Sequence, residues 1–151
     1  MEHTIVQTDR EKDALIQFRT IELLNSSLQT PLGNNNANKV FTFDITTEIK
    51  LNEESKLIVV IIGIKISNEA KDTVFGTLTT SNIFYIENYD EVVTRNDNNE
   101  PVISSNLIIS LNSISLSTTR GVMWSTFKGT MLHNAVLPIL DPKLIETAPS
   151  M

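Results

Sequence analysis

From Val40 to Leu51, VFTFDITTEIKL, apolar and polar residues alternate with a period of two. Phe41, Phe43, Ile45, Ile49 and Leu51 are apolar, interrupted by Thr47, while Thr42, Asp44, Thr46, Glu48 and Lys50 are polar. A strand with one face in the core and one in water produces this pattern. Lys56–Ile66, KLIVVIIGIKI, is different. Ile58, Val60, Ile62, Ile64 and Ile66 are all β-branched and fall on one face. Leu57, Val59 and Ile61 make the other face apolar too, before Gly63 and Lys65. A strand apolar on both faces must be covered on both, and in a chain of 151 residues a second subunit is expected to supply one cover. Asn52–Ser55 has the length of a hairpin turn between these strands.

The polar turn SNEAKD leads into a further strand, Thr73–Ile86. Upstream, in LIQFRTIELLNSSLQTP, Ile16 alternates with Phe18 and Ile21 with Leu23, and the slip between the two pairs indicates a bulged strand. Leu15, Phe18 and Glu22 also fit helical spacing. Pro31 ends this segment, LGNNNANK is a loop by composition, and the polar residues 1–14 are expected to be flexible. The pattern predicts a meander of four antiparallel strands.

Tyr89–Glu100 is polar and acidic around Arg95, with NDNN at its tip. It lacks the alternating ligands and the sharp-turn glycine of a Ca²⁺ loop and reads as a solvated connection. After Pro101, VISSNLIISLNSISLSTTRGVMWSTFKG carries two conflicting signals. Its Ser, Thr and Ile content favours strand, but Ile103, Leu107, Leu111 and Ile114 form a helical stripe. Glu100–Pro101 suits a helix start and Gly129 a stop. Such a helix has little intrinsic stability and must be held by packing. Its stripe is a candidate oligomer interface.

Composition narrows the function. The length fits one domain, residues 15–146, with 147–151 as a short tail. There is no cysteine, no apolar run of membrane-spanning length and no export-like N-terminus, so a cytoplasmic protein that does not insert in membranes is expected. Residues 1–100 carry 16 acidic and 9 basic side chains, against 2 and 3 in the remainder. An acidic surface of this kind disfavours nucleic acid, which needs clustered Lys and Arg.

The stretch Leu116–Ile145, LSTTRGVMWSTFKGTMLHNAVLPILDPKLI, resembles the C-terminal part of the SecB family of export chaperones. There a helix ends in an R/K-G-T element, matched by Lys128, Gly129 and Thr130. A loop and a second helix follow, matched by Leu137, Pro138, Asp141, Leu144 and Ile145. Ser81–Ile86, SNIFYI, is similar to the Gly-Ile-Phe-x-Ile end of the family's fourth strand. The resemblance implies an α+β fold: a four-stranded antiparallel sheet with a long and a short C-terminal helix on one side. It also implies a homotetrameric, ATP-independent holdase, a dimer of dimers, binding unfolded polypeptides in apolar surface grooves without a cofactor.

An unfolded client offers apolar side chains and unpaired backbone, so its binder needs exposed apolar area and a strand edge. Candidate contacts are Phe41, Phe43, Phe75, Phe84, Tyr85, Met123, Trp124, Met131 and Leu132, half or more of which are expected to be core residues. Departures from the family point away from export. Its acidic SecA-docking positions fall on Asn25, Gln29 and Thr77, and Ala148–Met151 holds no cysteine of a zinc tail. A client outside export, such as the antitoxin of a toxin–antitoxin pair, fits as well. The alternative is a protein-interaction adaptor or scaffold of the same fold. Catalysis is not expected. His3 and His133 are the only histidines, and neither a nucleophile elbow nor a Gly-rich phosphate loop is present.

Overall fold

The computed structural model describes residues 12–29, 40–145 and 147–148. The N-terminal segment through Glu11, with His3, and the loop from Pro31 to Lys39 lie outside the described residues.

Four long strands, β1 (Ile16–Leu28), β2 (Thr42–Asn52), β3 (Leu57–Ser67) and β4 (Val74–Ile86), form an antiparallel sheet. Their order is β1-β4-β3-β2, so β3, the strand apolar on both faces, lies inside the sheet. The parity slip in β1 is real. Its pairing with β4 shifts between Phe18 and Thr20, and again between Leu23 and Asn25. Each shift restores the inward direction of the next apolar residues, so Ile16, Phe18, Ile21, Leu23 and Leu28 share one face despite irregular spacing.

Beyond β4, a four-residue helix α1 (Tyr89–Val92) leads into a small hairpin of β5 (Val93–Arg95) and β6 (Pro101–Ile103). The NDNN run turns this hairpin, with Asn96 Oδ1 accepting from the N–H groups of Asn98 and Glu100. Pro101 therefore opens a strand and not a helix, which corrects the expected helix start. The long helix α2 (Ser105–Phe127) begins instead at Ser104, whose hydroxyl accepts from Leu107 N–H at 3.1 Å. It stops where expected: Gly129 has φ +77°, the left-handed conformation that glycine supplies after a helix.

Helix α2 lies on the inner face of the sheet, over Ile58, Val60, Ile62, Ile64 and Ile66 of β3 and Leu78 and Phe84 of β4, all buried. The helix meets this floor with Leu107, Leu111, Leu116, Met123 and Phe127, but also with buried Asn112, Ser115 and Thr119. Thr119 Oγ1 and Thr80 Oγ1 share a 2.8 Å hydrogen bond, and Asn82 Nδ2 donates to Thr80 Oγ1 and to the Val60 carbonyl. A polar belt thus crosses the core, and these three helix residues complete the stripe that apolar residues alone leave broken.

The chain then returns along the helix. Leu132, Ala135 and Leu137 are buried, and Arg120 Nε donates to the Leu137 carbonyl at 2.7 Å while Nη2 donates to Pro138 at 2.9 Å. The second C-terminal helix is a single 3-10 turn, Pro142–Leu144, N-capped by Asp141 Oδ1. A two-residue strand, β7 (Thr147–Ala148), ends the described chain, pairing in parallel with Thr47 and Glu48 of β2.

Candidate functional site

The candidate contacts divide by depth. Phe75, Phe84, Met123 and Leu132 are buried and belong to the core, whereas Phe41, Phe43, Tyr85 and Met131 are partly buried. Trp124 is 46% exposed, with Lys128 Nζ 5.3 Å from its ring centroid and the His133 ring at 6.2 Å. Tyr85 faces the opposite side of the sheet, under the Arg19 guanidinium at 4.6 Å. Of the expected helix stripe, Leu107 and Leu111 are buried within this chain and Ile114 is exposed, but Ile103, partly buried, ends β6 and does not lie on the helix, because α2 starts only at Ser105.

The residues that do come together lie on the inner face beside β2. Phe41 and Phe75 meet edge to face, centroids 6.0 Å apart, near the C-terminal end of α2. Close to them the return segment presses onto β4 at Gly76. A Cβ there would stand 2.7 Å from Leu132 Cδ1 and 2.8 Å from the Ser27 carbonyl oxygen. From this aromatic end, Phe43, Ile45, Ile49 and Leu51 run along β2, each only partly buried. Among the described residues, β7 is the only strand on the outer edge of β2, and it covers Thr47 and Glu48 alone. The return segment also turns apolar side chains to solvent. Ile139 is 94% exposed and Leu144 82%, with Val136 half exposed. These three were not among the sequence candidates; single apolar residues in a Pro-containing segment have no period to mark them.

The combination is a strand edge that described residues pair only at Thr47–Glu48, a partly covered apolar floor and solvent-facing aliphatic side chains. It can pair with an extended backbone and bury its side chains, without fixing a sequence. A second concavity, about 780 Å³, lies elsewhere, between Lys12–Ile16, the β5–β6 hairpin and the start of α2. Ile16, Val102 and Leu107 line it, and the Lys12–Glu91 ion pair spans 3.5 Å at its rim.

The described histidine and the next aspartate along the chain are engaged locally. His133 Nδ1 accepts from Gly129 N–H at 3.4 Å, and Asp141 Oδ1 is engaged by Lys143 N–H. No group of three or more His, Asp or Glu among the described residues is placed to hold a metal ion. No described helix is long and apolar enough to cross a membrane. On the outer face, Thr77 shares a 2.6 Å hydrogen bond with Ser27 and lies opposite Lys65, while Asn25 lies opposite Thr79, so none of these positions is acidic.

A four-stranded antiparallel sheet with one long helix on its inner face defines the fold as SecB-like. Among solved structures, the chain is similar to the Mycobacterium tuberculosis SecB-like chaperone Rv1957 in complex with a ChAD peptide from the Rv1956 HigA1 antitoxin. The TM-score is 0.55 at 15% identity, over 83% of this chain and 90% of that one. A protein of unknown function from Streptococcus agalactiae aligns over 78% of this chain and 90% of that one, with a TM-score of 0.41 at 10% identity. No family model and no curated protein matches the sequence.

Proposed function

We propose that this chain is an ATP-independent holdase that binds unfolded polypeptide in extended form along the β2 edge. The observation that carries this reading is the edge itself: among the described residues its outer side is paired only at Thr47–Glu48, above a partly covered apolar floor, while the return segment exposes Ile139 and Leu144. Burying an aliphatic side chain of that size contributes about 1.5–3 kcal/mol. Such contacts add to backbone hydrogen bonds of about 0.5–1.5 kcal/mol each and need no shaped pocket. Similarity to a chaperone solved with an antitoxin peptide supports a polypeptide client and makes an antitoxin a reasonable one.

The working form is a homotetramer in the cytoplasm, with no cofactor. Apolar Leu57, Val59, Ile61, Ile83 and Tyr85 on the outer face, and exposed Leu23, Leu28 and Ile114 on the inner side, are the surfaces a second copy would cover. SecA is a weak partner in this reading, because Asn25, Gln29 and Thr77 offer no negative charge.

Site-specific photocrosslinking tests it. A crosslinker at Phe43, Ile45, Ile49 or Ile139 should capture a denatured polypeptide, while the same group at Asn25 or Thr79 should not. Equal capture at both sets of positions would remove the β2 edge from the account.

A further inference from the structure

The pairing made by β7 differs from the rest of the sheet. Thr147 and Ala148 run parallel to β2, whereas β1 to β4 pair only antiparallel. Parallel pairing is slightly weaker per residue, and this contact is two residues long against a strand of eleven.

The segment leading to β7 changes character along its length. Through Pro138 it is anchored, by buried Ala135 and Leu137 and by the two hydrogen bonds from Arg120. Beyond Pro138 the anchors thin out. Ile139 and Leu144 face solvent, Asp141 caps only its own turn, and Leu140 and Ile145 are partly buried against the core. Of the described residues of this segment only Thr147 and Ala148 lie on the β2 edge, while the 3-10 turn Pro142–Leu144 packs against α2.

We infer that β7, Thr147–Ala148, is an internal pseudo-ligand, an autoinhibitory strand that covers the middle of the β2 edge until an extended polypeptide displaces it. The inference rests on the client-binding reading above and adds its regulation. An open apolar edge is a template for self-association; a short parallel strand masks it, and its weak hold leaves it displaceable. Apparent affinity falls by the fraction of molecules whose edge is free, so a cover that is off in about one molecule in ten weakens client binding about tenfold.

The test compares the full chain with a truncation after Ile145 and with the full-length variant Thr147→Pro, which removes a backbone donor from β7. The probe is fluorescently labelled, reduced and carboxymethylated α-lactalbumin, and the readout is anisotropy. Both variants are expected to bind about 3- to 30-fold more tightly than the full chain, with unchanged circular dichroism. A synthetic peptide of residues 139–151 added in trans should return the truncated chain toward the weaker value. Equal affinity in all three chains, or weaker binding by either folded variant, would overturn the inference while leaving client binding intact. No binding by any of them would overturn the client-binding reading, and the inference with it.

Discussion

Tyr89 carries its ring into the core at 2% exposure, and its hydroxyl has no hydrogen-bond partner among the described residues. Burial, and then the nearby charge of Glu53, push the phenol above its ordinary value of 10.0. The raised value fixes the sign: the folded state holds this proton more tightly than the unfolded chain does. Stability is therefore unaffected below about pH 10 and falls as pH rises beyond it. Tyr89→Phe should keep the packing, remove a desolvated hydroxyl and stabilise by up to about 1 kcal/mol. Thermal melts at pH 7 and pH 10.5 check this, with the variant's advantage growing at the higher pH. Gly76 makes the opposite case. The Leu132 methyl could move aside for a Cβ, but the Ser27 carbonyl is backbone held in β1, so Gly76→Ala should cost about 1–3 kcal/mol by chemical denaturation. Single residues were the least readable scale in the sequence. Phe84 and Phe41 are alike by type, yet one is core and the other borders the candidate site, because depth depends on which strand lies next to which.

At the scale of elements, what the sequence showed followed the strength of its periodicity. β2 is legible because it alternates with a period of two, β3 because it is a β-branched apolar run between turns, and the first bulge of β1 because Ile16/Phe18 and Ile21/Leu23 differ in parity. The second bulge is hidden by Leu24, an apolar residue that masks the slip and faces solvent. The start of α2 was misplaced because Pro101 suits a first helical turn, while the true N-cap, Ser104, is one serine among many. Ser104→Ala should lower stability by about 1 kcal/mol, measured by urea denaturation. The inner stripe was half legible, since buried Ser115 and Thr119 interrupt the apolar period and gain their place from the Thr80 hydroxyl across the interface. The return segment hangs on Arg120, whose hydrogen bonds to two carbonyls carry its full charge. Arg120→Ala should speed amide exchange in residues 132–140 by about ten- to a hundredfold, with little change in β3.

For the whole molecule, the sequence conveyed the sheet, the long helix and their order, because each depends on local pattern. It did not convey the site. The β2 edge becomes a candidate site only when β3 takes its inner side, α2 lies over β3 and β4, and the return segment leaves Ile139 and Leu144 projecting. None of these relations lies within a window of sequence. The apolar outer face of β3 and the exposed side chains of β1 are consistent with assembly, and light scattering coupled to gel filtration should give a mass about four times that of the 16.9 kDa chain. A monomeric mass at micromolar concentration would remove the tetramer from the account.

The holdase activity itself is tested most directly by diluting a chemically denatured, aggregation-prone protein into buffer with and without this chain, in the absence of ATP, and following light scattering. The account predicts that scattering is suppressed at about four chains per client, the stoichiometry of one tetramer. Unchanged scattering at a large excess of the chain, with several different clients, would contradict it and leave a SecB-like fold serving as an adaptor.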